Sequence, residues 1–557
     1  MPLPSPWPRR WTLLALVIGG VFRLRAYAAV RPLWLDEAML SLSIAGRTFK
    51  ELLQPLAMDQ SAPVLFLWAE RLVTRLAGVN ELALRALPLL AGLAVLIVTW
   101  RLAARLLTPV AVPVAVAIAA LSPALLYYSN EVKPYGLDAL WCSLVVLAAL
   151  ALLEAEPAPA AWSRFWLVGT LAIPASTPAF LVLAGVIPAL LMAPPRVAVP
   201  HWRRRVMLTG VAWALLFVAV YLAVYRAAAQ NTYLQTYWNG YFLDPLSPGL
   251  GGRLLDTLGA TLRDFFIGEG GGWRTAVAMM LLVPAGIGVA RLGRTRGWVV
   301  AALLVLPILA AFGASAVHRY PVAPRLMLYS APLWIVLVVA GFEELGERLP
   351  GRHVPWFLTA AAAAVLLLPL RNAVAEMRSP SRPQDIRPLV ERFRQQHAAG
   401  DAVYVFGRAI PAWLFYTTDW RAPDLPRVER LGGLVSSSGV AFRNRATRSG
   451  AVRDEGRDLV FAYDDWSELV GVPTGQGPTT TGWSSELPDS GWAENEAVRI
   501  RAIGRPQVWV VLSSYRAAIP VLLPPAVQAQ GGTLRDRAET TQCLLLRFQF
   551  PSSAPLP

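Results

Sequence analysis

Apolar and polar positions divide the chain into two unequal parts. Up to about residue 375, apolar runs long enough to cross about 30 Å of hydrocarbon recur, each closed by a short polar turn. They predict about eleven membrane-spanning helices, at 11–29, 83–106, 109–127, 136–153, 164–175, 178–194, 206–226, 275–292, 298–316, 320–340 and 354–371. The pair within 164–194 is interrupted by "IPASTP", so it reads as two short spans or one broken hairpin. Two intervening segments are long. Residues 30–82 carry the amphipathic stretches "DEAMLSLSIAG" and "SAPVLFLWAERLVTRLAG", suited to the interface plane, and residues 227–272 carry the aromatic-rich "NTYLQTYWNGYFLDP".

Beyond residue 375 the pattern changes to short segments typical of a soluble α/β unit. A helix is expected over "DIRPLVERFRQQHAAG", strands over "DAVYVF", "DLVFAYD", "QVWVVLSS" and "CLLLRFQF", and a helix near "AIPAWLFY". The Gly/Ser-rich stretches 432–439 and 474–490 read as loops. The expected fold is thus a polytopic α-helical membrane protein with a C-terminal soluble α/β domain, divided into 1–375 and 376–557.

Composition agrees with a membrane protein: 55% of the 557 residues are hydrophobic and 16% charged, with mean hydropathy +0.46. The formal net charge of +15 does not point to nucleic acid, because the arginines sit in turns between apolar runs and form no single basic face. Arg9 and Arg10, Arg101 and Arg105, Arg203 to Arg205, Arg291 to Arg296, and Arg348 with Arg352 all fall on one side of an eleven-span thread. The positive-inside rule makes that side cytoplasmic, with the N-terminus inside and the C-terminal domain outside an inner or plasma membrane. The first run lacks a small-residue cleavage site and reads as a retained span. Cys142 and Cys543 are too differently placed for a disulfide, and four scattered histidines suggest no metal site.

On the expected outer side, polar residues gather in four places: Asp36 and Glu37, the turn "YYSNEVKPYGLD" at 127–138, the "YLQTYWNGYF" loop, and "HRYPVAPR" at 318–325. Lys133 is one of two lysines in an arginine-rich chain, and it stands between Glu131 and Tyr135 where lipid head groups sit. An ammonium there is a point charge for phosphate, or a snorkelling lysine paired with Glu131. Asp36 and Glu37 point about 100° apart on a helix and so face different partners. They could also be acids that merely start a helix, where the macrodipole favours them. Arg319, Tyr320 and Arg325 could hold a phosphate, or Arg319 could only mark the interface. Arg23 and Arg25 lie inside the first span, where a charge is costly, and are expected to help neutralise a lipid phosphate.

These segments, in order over residues 10–345, resemble the GT-C glycosyltransferases that use polyprenyl-phosphate sugars, a branch including protein O-mannosyltransferases and lipid A aminoarabinose transferases. "PLWLDEAMLSL" is similar to the first-loop motif with its Asp-Glu pair. "SAPVLFLWAERLVTRLAGVNELALRALPLLAG" is similar to the segment running to Gly-x-x-Glu-x-x-x-Arg, and "YYSNEVKPYGLDAL" to Tyr-Ser-x-Glu-x-Arg/Lys-x-Tyr. The resemblance implies a membrane transferase of the cell envelope, moving a sugar with inversion from a polyprenyl-phosphate donor to a lipid, polysaccharide or protein acceptor. It implies Asp36 as general base with Glu37 beside it, Lys133, Arg319, Arg325 and Tyr320 on the donor phosphate, and Glu131, Tyr135, Tyr237 and Trp238 on substrate. No cofactor is implied, although carboxylates alone can hold a divalent cation. One departure stands out: Ser61 and Ala62 occupy positions where many relatives have His and Pro, so no role of that histidine carries over. A polyprenyl-lipid transporter or an inactive membrane scaffold is the alternative from another class; transporters place their charges near the bilayer midplane.

Overall fold

The computed structural model describes residues 7–154, 160–194, 201–348, 354–380, 382–398, 401–418, 420, 452–455, 458–462, 466–470, 490–502, 504–513 and 518–551. In chain order the helices of the first part are α1 (Trp7–Ala28), α2 (Leu35–Gly46), α3 (Val64–Ala77), α4 (Glu81–Leu106), α5 (Val112–Leu121), α6 (Pro123–Tyr127), α7 (Tyr135–Leu152), α8 (Ala161–Ala175) and α9 (Ala179–Leu191). They continue as α10 (Trp202–Val220), α11 (Arg226–Ala229), α12 (Thr232–Trp238), α13 (Leu250–Phe266), α14 (Gly272–Met279), α15 (Leu282–Arg296), α16 (Trp298–Ala316), α17 (Ala331–Glu347) and α18 (Val354–Arg378).

Eight helical segments among the described residues are long and apolar enough to cross a membrane, and the bent pair of Val112–Leu121 with Pro123–Asn130 makes a ninth. The expected eleven is corrected at α8 and α9. With 15 and 13 residues at about 1.5 Å per residue, neither reaches across the hydrocarbon alone. The expected span at 320–340 is displaced to Leu328–Glu347. Pro321 and Pro324 keep residues 320–327 out of the helix, since proline donates no N–H and pushes its predecessor towards extended backbone.

The bend of 57° between α5 and α6 has a local cause. Ser122 caps α6, and Pro123 cannot continue the hydrogen bonds of α5. Arg23 on α1 takes the freed carbonyls, donating from Nη1 to Ala120 O at 3.1 Å and from Nη2 to Ala119 O at 3.2 Å, and its Nη1 also reaches Gly19 O at 3.0 Å. The expected lipid-phosphate role of Arg23 is therefore replaced by an internal helix cap. Arg25 is exposed. Elsewhere the bundle relies on close backbone approach: a Cβ on Gly288 would collide with the Leu337 carbonyl and one on Gly341 with Pro284, so only glycine lets α15 and α17 touch.

Of the two stretches expected at the interface, only α3 behaves so, with Val64, Phe66 and Leu67 buried while Leu72 and Leu76 are exposed. Residues Glu37–Ala45 of α2 are buried on all sides. A helix that is apolar nearly all round needs cover on every face, and the C-terminal domain supplies it. There a 7-stranded sheet has the order β2-β3-β4-β1-β5-β7-β6, with β1 (Asp401–Val405) parallel to both β4 (Trp466–Val470) and β5 (Gln507–Ser513) and the remaining pairs antiparallel. The other strands are β2 (Val452–Glu455), β3 (Asp458–Ala462), β6 (Thr533–Thr540) and β7 (Cys543–Gln549). Helices α19 (Arg387–Gln396) and α20 (Ile410–Thr417) pack beside it, and α20 lies against α2 in one continuous apolar core. The expected loops at 432–439 and 474–489 lie outside the described residues, and residue 490 begins a helix, Ser490–Ala502.

Candidate active site

The bundle has two charged ends. At one, α1, α4 and α18 approach the C-terminal domain; at the other, Arg105 pairs with Glu154 at 3.2 Å and Arg291 binds Glu347 at 2.5 Å and Glu344 at 3.2 Å. The first end holds the sequence-predicted site.

Helix α2 begins at Leu35, so Asp36 and Glu37 lie in its first turn. Their environments diverge. Glu37 leaves only 2% of its side chain exposed, and both its oxygens are engaged: Arg85 donates from Nε to Oε1 at 2.9 Å and from Nη2 to Oε2 at 2.6 Å. The Val132 N–H donates to Oε1 at 2.9 Å, and the Trp34 N–H to Oε2 at 3.4 Å, which engages a free donor at the start of α2. Arg85 also donates to the carbonyls of Arg31 and Pro32. One buried ion pair thus joins the start of α4, the approach to α2 and the 131–133 turn. Removing one partner of such a pair costs about 3–5 kcal/mol, because a buried charge is left behind.

Asp36, in contrast, is 25% exposed and meets Arg325 at 3.4 Å, the long end of an ion pair. The Arg325 guanidinium lies 4.7 Å over the Trp238 ring and donates to Tyr237 Oη at 3.2 Å. Burial pulls this guanidinium down, but Tyr135, Tyr237, Asp36 and Tyr128 outweigh it and hold its proton more tightly than usual. Five predicted residues, Asp36, Tyr135, Tyr237, Trp238 and Arg325, therefore converge from four separate segments of the chain.

The 127–138 turn supplies the rest. Glu131 is buried; its Oε1 accepts the Trp34 indole N–H at 3.0 Å, while Oε2 has no hydrogen-bond partner among the described residues. Burial raises its carboxyl to about 8, with Glu37 and Asp36 adding to the shift and Lys133 and the Trp34 N–H only partly offsetting it. Among the described residues the Glu131–Lys133 pair, one of the two readings of this lysine, does not form. Lys133 is buried and donates instead to Gln60 Oε1 at 2.8 Å, so among the described residues it has no carboxylate partner. Gln60 in turn is held by the Met58 carbonyl at 3.2 Å, in a stretch where Met58 and Asp59 adopt φ of 58° and 55°. Left-handed backbone at two successive non-glycine residues is strained, and such strain gathers at functional sites.

Two predicted residues are not brought in. Arg319 is exposed just beyond the end of α16, and Tyr320 is buried with its hydroxyl donating to Leu326 O at 2.7 Å, which ties the proline-rich loop. The hydroxyl proton of Tyr320 is thus engaged within the loop. Arg85 and Gln60 were missed. Arg85 was within reach, being the arginine of the Gly-x-x-Glu-x-x-x-Arg pattern that runs from Gly78 through Glu81; Gln60 adjoins the Ser61–Ala62 departure but no spacing marked it. Among the described residues, no three His, Cys, Asp or Glu side chains gather.

Comparison with known proteins gives the same picture. Residues 61–223 match the family described as dolichyl-phosphate-mannose-protein mannosyltransferase. ArnT from Cupriavidus metallidurans, in a crystal structure bound to undecaprenyl phosphate, is similar over 98% of both chains, with 14% identity and a TM-score of 0.53. Its apo structure aligns at 12% identity and 0.51, again over 98% of both chains. The archaeal oligosaccharyltransferase AglB from Archaeoglobus fulgidus, in complex with an inhibitory peptide and a dolichol-phosphate, aligns over 99% of this chain and 75% of its own, at 12% identity and a TM-score of 0.51. Among curated protein sequences none matches. The signature over 61–223 and a fold shared over nearly the whole length agree with the loop motifs, and the chain has the fold of ArnT and AglB.

Proposed function

We propose that the chain transfers a sugar from a polyprenyl-phosphate donor to a hydroxyl or amine of an extracytoplasmic acceptor, with Asp36 as general base. The observation that carries this assignment is the division of labour between the adjacent acids. Glu37 has spent both oxygens on Arg85, whereas Asp36 is partly open beside an arginine. ArnT with undecaprenyl phosphate and AglB with dolichol-phosphate support the donor class.

The chemistry follows from where charge moves. The acceptor oxygen or nitrogen attacks the anomeric carbon from the face opposite the phosphate, and its proton passes to Asp36. The bond from that carbon to the phosphate oxygen breaks, and its electron pair leaves with the polyprenyl phosphate, which changes from a singly charged diester to a doubly charged monoester. Positive groups aimed at that phosphate bind the transition state more tightly than the ground state. Arg325, which pairs with Asp36, and Lys133, which rests on the neutral amide of Gln60, are the groups suited to do this. Tyr135, Tyr237 and Trp238 form an aromatic wall suited to a sugar face, Glu131 offers its unpartnered oxygen to a sugar hydroxyl, and Glu37 positions the turn.

The site end and the C-terminal domain are assigned to the outer side, and the arginine end to the cytoplasm, within an inner or plasma membrane. The nine spans among the described residues, an odd number, put the termini on opposite sides. A structure with polyprenyl phosphate bound tests the assignment: the phosphate should sit within hydrogen-bond distance of Arg325 and Lys133, and one at the bilayer midplane would favour a transporter. Reporters fused after residue 378 should be active only outside the cytoplasm.

A further inference from the structure

The short connection between α1 and α2 has no regular structure, yet it sets where Asp36 points. Its main-chain groups are held from two directions. The membrane part holds the carbonyls of Arg31 and Pro32 through Arg85 and the Trp34 N–H through Glu37. The C-terminal domain holds the others. Tyr416 Oη accepts the Leu33 N–H at 2.8 Å, Gln384 Oε1 accepts the Leu35 N–H at 2.9 Å, and Arg387 Nη1 donates to the Val30 carbonyl at 3.0 Å. Tyr416 and Arg387 are themselves anchored on Glu81 of α4, at 2.9 Å and 3.1 Å. Val30 adopts φ of 45°, a conformation that a β-branched residue avoids unless its surroundings impose it.

We propose that the C-terminal domain acts as a clamp on the active site: Gln384, Arg387 and Tyr416 hold the 30–35 peptide in the register that directs the Asp36 carboxylate at its substrate. The three are positioning residues, since each acts through the main chain that carries the base. They reach the same six-residue stretch from distant parts of the sequence, and two of the N–H groups they bind flank Trp34, the residue that caps α2. Helix α20, which carries Tyr416 at its penultimate position, packs along α2 in a shared apolar core. Movement of the domain is thereby transmitted to Asp36 as a change in the start of its helix, and whatever binds the domain on its outer surface acts on the base. A misplacement of about 1 Å at a reacting group costs on the order of 100-fold in rate.

The inference rests on the transferase assignment for its catalytic readout, so the test pairs that readout with one independent of turnover. In the full-length protein reconstituted in lipid, Tyr416→Phe removes only the hydroxyl, and Gln384→Ala removes the second acceptor. Hydrogen exchange of a peptide covering residues 30–36 should quicken in each variant, with the rest of the chain unchanged. Single-turnover transfer from a polyprenyl-phosphate sugar should fall about fivefold per bond removed, the equivalent of about 1 kcal/mol, and further in the double variant, with the donor KM within about twofold. Arg392→Gln, which breaks only the pair with Asp536 inside the domain, should change neither. Unchanged exchange at 30–36 overturns the clamp, as does a chain-wide rise in exchange. Faster local exchange with full single-turnover rate also overturns it, because the register would then not matter to the base. Faster local exchange in a protein whose wild type transfers no sugar would leave the clamp standing and sink the transferase assignment instead.

Discussion

The two ends of the helical bundle use the same residue types to opposite ends. At the arginine end, Arg291 is surrounded by Glu343, Glu344 and Glu347, and Glu344 also takes Arg294 at 2.8 Å and Arg348 at 3.0 Å. Each arginine of this cluster has a carboxylate. At the site end, the ion pair of Arg325 with the partly open Asp36 is long at 3.4 Å, Lys133 rests on a neutral amide, and one oxygen of Glu131 has no partner among the described residues. A saturated network stabilises and has nothing left for a ligand. An undersatisfied one costs stability on its own and recovers it when an anion or hydroxyl arrives. The contrast separates arginines held in ion-pair networks from the one proposed to meet a phosphate, which no count of arginines could do.

The contrast is broken or sharpened most strongly at Asp36. Asp36→Asn keeps the shape but removes the base, and turnover should fall by on the order of 10²–10⁴-fold while polyprenyl phosphate still binds. Near-normal turnover in this variant would end the general-base assignment. Its neighbour should fail in another way. Glu37→Gln leaves Arg85 as a buried, poorly matched charge, so the loss should appear as about 3–5 kcal/mol of stability, measured by thermal unfolding in detergent, with a smaller change in turnover per folded molecule.

Lys133→Ala should raise the donor KM about tenfold, since a charged hydrogen bond is worth about 1.5–3 kcal/mol; kinetics with the acceptor varied should change little. A lysine that only supports structure would show the reverse, a lower melting temperature with normal kinetics. Smaller still is the pH response of Glu131. Its carboxyl titrates at about 8 in the folded protein against an ordinary value of 4.5. The folded state therefore holds a proton that the unfolded state has lost, so stability should decline as pH rises between those values and level off above about 8. Donor affinity should weaken by about two- to fivefold over the upper part of that window as negative charge appears near Lys133, and Glu131→Gln should flatten both profiles. At the saturated end, Arg291→Gln should lower stability by about 1–2 kcal/mol after allowance for its partial exposure and leave transfer kinetics unchanged. A kinetic effect there would show that the two ends are coupled.

Length and hydropathy determined much of this protein. Any helix buried in hydrocarbon must be apolar along about 20 residues, so most spans, the acid pair after the first of them and the change of character near residue 375 are legible in one dimension. The strands β1, β3, β5 and β7 were legible for a similar reason, each having a short apolar run bounded by polar residues. The edge strand β6, "TLRDRAET", was not: of its half-buried positions Leu534, Asp536, Ala538 and Thr540 only two are apolar, too weak an alternation to set it apart from a loop until β7 lies beside it. Tertiary structure alone decided the roles within the site. Asp36 and Glu37 are adjacent and chemically alike, and only Arg85, 48 residues beyond Glu37, and Arg325, 289 residues beyond Asp36, give one a buried ion pair and leave the other partly open, as the base proposed for it must be. It likewise turned Arg23 from a charge facing lipid into a cap for a broken helix, and joined Tyr416 to the peptide before Asp36. A charge is expressed by what surrounds it, and those surroundings come from segments that meet only when the chain has folded.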